Sequence, residues 1–143
     1  MSRAFPFRNR HLAALTLVLL AGCAGRGSDH ATGVAGKVSY RGKPVGTGTI
    51  VFVPDAARGT NGDPLCSAIG ADGGYKLPTD KSAVPSGWYR ITVAAVAVPP
   101  AVPGQAFAVP YSLLPDRYRD PELSGLLCEV KPGRDNAINF NLE

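Results

Sequence analysis

From Val34 to the end of the chain, hydrophobic and polar residues alternate in short runs that are separated by Gly, Pro and Asp. A period of two places successive side chains on opposite faces of an extended strand. The runs with this pattern are residues 34–40, 47–53, 65–70, 75–77, 87–98, 126–130 and 137–142. Seven short strands with turns at intervals of about 8 to 12 residues predict an all-β domain, a seven-stranded sandwich of two sheets.

Two of these runs also indicate which side chains point into the core. In 87–98, the strongest run, one face carries the apolar residues Tyr89, Ile91, Val93 and Ala95 and the other carries Arg90 and Thr92. We expect this strand to be central in its sheet. In the last run the inward face is Ile138, Phe140 and Leu142, and the outward face is Asn139 and Asn141.

Turn-forming residues mark the connections between strands. Residues 41–44 (Arg-Gly-Lys-Pro) predict a turn after the first strand. Residues 71–74 (Ala-Asp-Gly-Gly) predict a hairpin between the third and fourth runs, because Asp-Gly tolerates the positive φ of tight hairpin turns. The polar stretch 55–64 is expected to be an exposed loop, 99–108 a surface excursion, and 113–125 an ordered connection.

The beginning of the chain has a different pattern. Arg3, Arg8 and Arg10 precede an uncharged run, 12–21, which is rich in Leu and Ala. A helix of that length rises about 15 Å, about half of the hydrocarbon core of a bilayer, so it is too short for a stable transmembrane span. A basic segment, a short apolar run and small residues at its end are typical of a secretory signal peptide.

The residues that close this run carry a more specific signal. Leu20, Ala21, Gly22 and Cys23 resemble the bacterial lipobox. This resemblance implies that Cys23 is alkylated with a diacylglyceryl group and becomes the acylated N-terminus after cleavage. The alternative is that Cys23 is an ordinary residue of a signal peptide cleaved nearby, for example after Ala24.

The lipobox interpretation divides the chain into three parts. Residues 1–22 are a lipoprotein signal peptide, 23–33 are the lipidated Cys and a flexible tether, and 34–143 are the β-sandwich domain. It predicts a bacterial cell-envelope protein that is held on a membrane by its N-terminal lipid, with the domain facing the periplasm or the exterior. Two or three acyl chains make such an anchor long-lived.

Removal of the signal peptide also changes the charge balance. The full chain has 15 basic and 11 acidic residues, but three of the basic residues, Arg3, Arg8 and Arg10, leave with the signal peptide. The mature chain is therefore nearly neutral. It keeps no cluster of Lys and Arg with interleaved aromatic residues, so its charge does not favour a nucleic-acid partner.

Several stretches resemble a known family. They are 36–45 (Gly-Lys-Val-Ser-Tyr-Arg-Gly-Lys-Pro-Val), 48–54 (Gly-Thr-Ile-Val-Phe-Val-Pro), 71–75 (Ala-Asp-Gly-Gly-Tyr) and 88–93 (Trp-Tyr-Arg-Ile-Thr-Val). In this order they look like the carboxypeptidase regulatory-like, or transthyretin-like, β-sandwich. The later motifs are 114–115 (Leu-Pro), Tyr118, 120–121 (Asp-Pro), 124–126 (Ser-Gly-Leu) and 129–133 (Glu-Val-Lys-Pro-Gly). They look like a narrower group, the small lipoproteins abundant in planctomycetes. The resemblance implies a prealbumin-like, immunoglobulin-like sandwich and an envelope lipoprotein with no known catalytic residues. The chain departs from the family pattern at Cys66 and Cys128.

These two cysteines admit two interpretations. With Cys23 acylated, Cys66 and Cys128 form an even pair in an oxidising compartment, which favours a disulfide. The alternative is two free thiols, one of which is buried as a small hydrophobic residue. Strand alternation places Cys128 inward, but it places Cys66 inward only if Ile69 points outward.

The sequence offers few residues that could take part in catalysis. We therefore predict no enzyme activity, no catalytic residues and no cofactor. The mature chain has one His, His30 in the tether, so a nucleophile would lack its base. A metal site at His30 is not favoured, because no second His and no Cys lies nearby. A small transthyretin-like hydrolase is a weaker alternative, since the histidines of the ureide hydrolase with this fold are missing.

Acidic residues are the remaining candidates for chemistry. Asp116, Asp120 and Glu122 could act in general acid–base catalysis or bind Ca²⁺. Because Arg117 and Arg119 interleave with them, a solvated loop with surface ion pairs is the favoured interpretation, and no metal site is predicted.

Three aromatic residues give a last indication of function. Trp88, Tyr111 and Tyr118 are possible ligand contacts, because exposed aromatic rings can stack on sugars. The simpler interpretation is that these side chains pack in the core. The sequence therefore predicts a lipid-anchored β-sandwich with a non-catalytic structural, adhesion or interaction role. Its partner is an envelope protein or a glycan, and the alternative function is that of a carbohydrate-binding module.

Overall fold

The computed structural model describes residues 32–77, 83–100, 103–104 and 107–143. The predicted signal peptide, the lipobox with Cys23, and His30 lie outside the described residues. Within these ranges no helix is both long and apolar enough to cross a membrane.

The described residues form eleven short strands and two 3₁₀ helices, where the sequence predicted seven strands. The 3₁₀ helices are Ala56–Arg58 and Asp116–Arg119. The strands are β1 (Val34–Tyr40), β2 (Lys43–Pro44), β3 (Thr49–Pro54), β4 (Leu65–Ala68), β5 (Gly74–Leu77), β6 (Gly87–Ala94), β7 (Val96–Ala97), β8 (Tyr111–Ser112), β9 (Leu127–Val130), β10 (Asn136–Ala137) and β11 (Phe140–Leu142).

Two main sheets make the architecture an all-β sandwich. The first sheet is antiparallel and has the order β4-β3-β6-β9. The second is organised around β1, which pairs in parallel with β10 and β11 and in antiparallel fashion with β2 and β5. β7 and β8 form a separate two-stranded ribbon. The prediction that 87–98 is central is confirmed for β6, which lies between β3 and β9.

An aromatic cluster joins the two sheets. Phe52 on β3 packs with Tyr89 on β6 at 5.9 Å between ring centroids, and with Tyr75 on β5 at 5.8 Å and Phe140 on β11 at 6.2 Å. Tyr75 and Phe140 belong to the sheet around β1, so the cluster fills the space between the layers. Among the described residues the core runs from Val34 to Leu142, and we therefore expect the domain to fold without residues 1–22.

The predicted face of β6 is confirmed. Tyr89, Ile91 and Val93 are almost completely buried, and so is Ala95 just after the strand. The predicted last strand is interrupted instead of continuous. It forms β10 and β11 on either side of Ile138, whose N–H donates to Ala35 O at 2.8 Å.

The first predicted turn closes a hairpin between β1 and β2. Tyr40 pairs with Lys43, so Arg41 and Gly42 are the two loop residues, and their φ angles are 51° and 77°. Two consecutive positive φ values are the signature of a type I′ turn, whose twist matches that of the strands.

The predicted hairpin at 71–74 is wrong as a strand pairing. A tight turn does form there, with Gly73 N–H donating to Gly70 O at 2.9 Å and Gly74 N–H donating to Asp72 Oδ1 at 3.0 Å. However, β4 pairs with β3 and β5 pairs with β1, so the turn carries the chain from one sheet to the other. The reason is that alternation specifies which face of a strand is buried but not which strand is its neighbour.

Candidate functional site

A buried carboxylate lies at the start of the stretch that the sequence predicted to be an exposed loop. Asp55 is 3% exposed, so the prediction is wrong at this residue. Its Oδ1 accepts a hydrogen bond from Ala57 N–H at 3.2 Å and caps the first 3₁₀ helix, which ends at Gly59 with φ 83°. Asp is a preferred N-cap residue because its side chain accepts from otherwise unpaired N–H groups.

Two arginines meet this carboxylate. Arg58 Nε lies 3.4 Å and Arg90 Nε 3.5 Å from Asp55 Oδ2. Arg90 also donates through Nη1 to Glu122 Oε2. Glu122 is 72% exposed, whereas the Asp55 side chain is 4% exposed. The buried carboxylate of Asp55 thus contacts both guanidinium groups, and the exposed carboxylate of Glu122 contacts only that of Arg90.

Trp88 lies beside this charge cluster. Trp88 and Arg90 are both on the outer side of β6, because they alternate with the buried residues of the strand. The guanidinium carbon of Arg58 is 4.7 Å from the centre of the Trp88 ring, a cation–π contact. Trp88 N–H donates to Thr60 Oγ1 at 2.7 Å, which fixes the loop to the strand.

Asp55, Arg58 and Arg90 line an open cleft of about 180 Å³. We call it the arginine cleft, and it is lined by Asp55, Arg58, Arg90, Pro121, Glu122, Gly125, Leu126 and Leu127. Its wall combines guanidinium donors with apolar surface from the leucines. Guanidinium groups recognise carboxylates through paired hydrogen bonds, so the cleft suits a ligand with a carboxylate next to an apolar or ring-shaped part.

The three aromatic residues proposed as a ligand platform do not share a surface. Tyr118 is buried at 3% exposure, which agrees with the core-packing interpretation and not with an exposed platform. Its hydroxyl accepts from Glu143 N–H and donates to Glu143 O, each at 2.9 Å. Trp88 is at the start of β6, and Tyr111 is on the ribbon beyond the other end. β6 separates them by about 25 Å of strand.

The structure contradicts the disulfide interpretation of Cys66 and Cys128. Both are free thiols, with Cys66 exposed and Cys128 buried. They lie on β4 and β9, the opposite edges of one sheet, and three strand spacings correspond to about 14 Å. A disulfide requires Cα atoms within about 7 Å. Burial raises the pKa of the Cys128 thiol to about 12, which keeps it protonated at neutral pH.

The acidic stretch 116–122 makes ion pairs and turn contacts. Asp116 pairs with Arg119 at 3.7 Å, and Asp120 Oδ1 accepts from the N–H groups of Glu122 and Leu123 at 2.7 and 3.2 Å. Glu122 reaches Arg90. Among the described residues no group of three His, Cys, Asp or Glu side chains is placed to hold a metal ion.

Sequence reasoning missed the arginine cleft. The sequence pattern places Arg90 on the outward face of its strand and Asp55 and Arg58 in a polar loop, and it does not bring them together. A signal was present, since Asp55-Ala56-Ala57-Arg58-Gly59 places an N-cap residue before Ala-Ala-Arg and a Gly after it. This is the pattern of a short helical turn with both ends capped.

Comparisons with known proteins identify neither a family nor a function for this chain. No family model and no curated protein matches the chain. A solved structure, the dioxygenase domain of a dioxygenase carbohydrate-binding protein fusion from the cellulolytic bacterium Streptomyces sp. SirexAA-E, is 24% identical with a TM-score of 0.33. The match covers 78% of this chain and 79% of that one. A likeness this distant carries no functional conclusion.

Proposed function

We propose that this chain is a lipid-anchored protein of the bacterial cell envelope whose sandwich has a non-catalytic interaction role. The lipobox at Leu20 to Cys23 supports the anchor. Residues 23–33 connect the lipobox Cys to β1, which begins at Val34. We also propose that the chain belongs to the carboxypeptidase regulatory-like family. The all-β sandwich that follows the tether supports this proposal.

One observation carries the interaction role: Asp55 holds two guanidinium groups at the wall of an open cleft. A buried, hydrogen-bonded carboxylate fixes the donors before a ligand arrives, which lowers the entropic cost of binding. Glu122 contacts Arg90 from the solvent side, and an exposed ion pair of this kind contributes little free energy. A carboxylate of an envelope protein or glycan can therefore replace Glu122 at Arg90.

The anchor is tested by Cys23→Ser in the full chain. We expect loss of metabolic labelling by fatty acid and loss of membrane retention, because the thiol is the acylated group. Cys66→Ser is the matched control, since it makes the same exchange at an exposed thiol of the domain, and it should leave labelling unchanged. Retention of the Cys23→Ser chain on membranes without label would contradict the proposal.

The interaction role is tested by crosslinking in intact cells followed by pulldown through the domain. We expect Arg90→Gln to lose the crosslinked partner. Arg134→Gln, an exposed arginine in the turn before β10, is the control and should keep it. Circular dichroism of both variants distinguishes lost binding from lost folding. Equal recovery with Arg90→Gln and with the control would rule out the cleft as the binding site.

A carbohydrate-binding function is the second candidate, and the position of Trp88 favours it. Trp88 is the single tryptophan of the chain and lies next to the arginine cleft under Arg58. Titration with peptidoglycan fragments or acidic polysaccharide should quench or shift its fluorescence if the glycan enters the cleft. Unchanged fluorescence and an unchanged melting temperature would exclude these glycans as ligands of the cleft. The proposed partner would then be an envelope protein.

A further inference from the structure

The ribbon of β7 and β8 concentrates the exposed apolar surface of the domain. Seven large hydrophobic residues are exposed among the described residues, and five belong to this ribbon and its flanks. We call these five residues the apolar ribbon: Val96 at 44%, Val98 at 66%, Phe107 at 85%, Val109 at 75% and Tyr111 at 55% exposed. Val96 pairs with Ser112 and Ala97 pairs with Tyr111, so Val96 and Tyr111 lie on opposite faces of the ribbon. Exposed apolar side chains on both faces of one short element mark a site of interaction rather than ordinary surface composition.

The apolar ribbon is also free of charge. Between Arg90 and Asp116 the chain contains no Asp, Glu, Lys or Arg. The ribbon itself therefore offers no charged side chain for ion pairs with a partner protein. A lipid bilayer instead excludes charges and accepts aliphatic and aromatic side chains, with Tyr favoured at the headgroup level.

Basic residues lie at the same end of the sandwich. The backbone of Gly48 approaches Ala94 and Ala95 at the end of β6, just before the ribbon. Gly48 follows the β1–β2 hairpin, whose turn exposes Arg41 and Lys43. Glu143 also lies at this end, because Leu142 pairs with Tyr40. An uncharged apolar element with exposed basic residues near it suits a bilayer surface that contains anionic lipid.

We propose that the apolar ribbon inserts into the surface of a lipid bilayer and forms a membrane contact separate from the N-terminal anchor. This contact goes beyond the proposed function and does not require acylation of Cys23. Thr32 is at the opposite end of β6 from the ribbon, because its carbonyl accepts from Val84 N–H at 2.9 Å and its Oγ1 accepts from Gly133 N–H at 3.2 Å. With both contacts made, the domain would lie along the membrane.

The tether is long enough for this arrangement. Residues 23 to 32 span up to about 30 Å when extended, and β6 is about 25 Å long. A domain anchored at Cys23 can therefore place its far end on the same bilayer. The anchor would also keep the ribbon at a high local concentration near lipid, so that weak insertion suffices.

The test uses residues 24–143, which contain the whole core, and co-sedimentation with vesicles of phosphatidylcholine and phosphatidylglycerol. We expect the protein to bind, and the double variant Phe107→Ser/Val109→Ser to bind on the order of tenfold more weakly, because two exposed apolar side chains are lost. The single variant Leu123→Ser is the control. It removes an exposed leucine that lies outside both the ribbon and the arginine cleft and is 66% exposed, and it should bind like the parent.

A second measurement reports the location directly. In a Cys66→Ser background, Val109→Cys labelled with a polarity-sensitive dye should shift to the blue on vesicles, and Asp63→Cys should not. Absence of vesicle binding by the parent chain, equal binding by the ribbon variant, or no shift at position 109 would each overturn the proposal. If ribbon variants lose a crosslinked protein while vesicle binding is absent, the ribbon docks a protein and the lipid assignment is wrong.

Discussion

Gly36 on β1 lies directly against the backbone carbonyl of Ile138. A Cβ atom at position 36 would be 1.7 Å from Ile138 O and 3.1 Å from Tyr75 Cε1. The same carbonyl accepts a hydrogen bond from the Tyr75 hydroxyl at 2.7 Å. The absence of a side chain at Gly36 therefore allows the chain between β10 and β11 to approach β1 and to complete the second sheet.

Gly36→Ala should destabilise the domain strongly. The added methyl group cannot fit beside the Ile138 carbonyl, so β1 must separate from this segment and the Tyr75 hydrogen bond is strained or lost. We expect a loss on the order of 3 kcal/mol in the free energy of unfolding, measured by urea denaturation. Gly70→Ala is the control, because a Cβ there would meet no atom closer than 3.4 Å. Equal stability of the two variants would contradict this packing.

Removal of the buried carboxylate should also be costly. Asp55→Ala leaves Arg58 and Arg90 without their shared partner and leaves the Ala57 N–H without its cap. We expect a loss of about 3 kcal/mol in the free energy of unfolding. Asp63→Ala, at an exposed position of the same loop, should change stability by less than about 0.5 kcal/mol. A small effect of Asp55→Ala would mean that the arginines are held by other contacts.

The sequence was informative where the pattern itself is strong. β6 combines β-branched and aromatic residues with strict alternation, and its buried face was predicted correctly. Strand partners could not be predicted in the same way. β5 carries the right alternation, but its pairing with β1 depends on contacts that are distant in sequence, such as that of Tyr75 with Ile138.

The candidate site was harder to predict because a polar side chain can be either exposed to solvent or buried with hydrogen-bond partners. Asp55 is buried since three donors meet it, two of them from Arg58 and Arg90, and no sequence pattern brings Arg90 to this loop. Tyr118 sits in a segment rich in Asp and Arg, yet it is buried because Glu143 at the chain end satisfies its hydroxyl. In both cases a long-range contact decides the outcome.

The two thiols of the domain should differ sharply in reactivity. Cys66 is exposed, whereas Cys128 is 8% exposed and burial raises its pKa to about 12. Because the thiolate is the reactive form, iodoacetamide should label Cys66 in the folded domain and Cys128 only after unfolding. Mass spectrometry of native and denatured samples counts the labels. An unlabelled protein whose mass is lower by two hydrogen atoms would instead indicate a disulfide.

Alkaline pH should destabilise the domain. Burial raises the pKa of Cys128 to about 12 and also raises the pKa values of Tyr75 and Tyr89 above their ordinary value. The folded state then holds these protons more tightly than the unfolded state. Their stabilising contribution is complete below the unfolded pKa values of 9.0 for Cys and 10.0 for Tyr, and it falls as the pH rises above them.

The free energy of unfolding should thus fall above about pH 9, with a slope of up to about 1.4 kcal/mol per pH unit for each group. Urea denaturation followed by Trp88 fluorescence at several pH values measures this slope. Tyr75→Phe removes one ionisable group, so its profile should be shallower above pH 10 even though the variant starts lower without the hydrogen bond to Ile138 O. Parallel profiles for the two proteins would show that Tyr75 does not contribute to the alkaline transition, since a lost hydrogen bond alone shifts the whole profile without changing its slope.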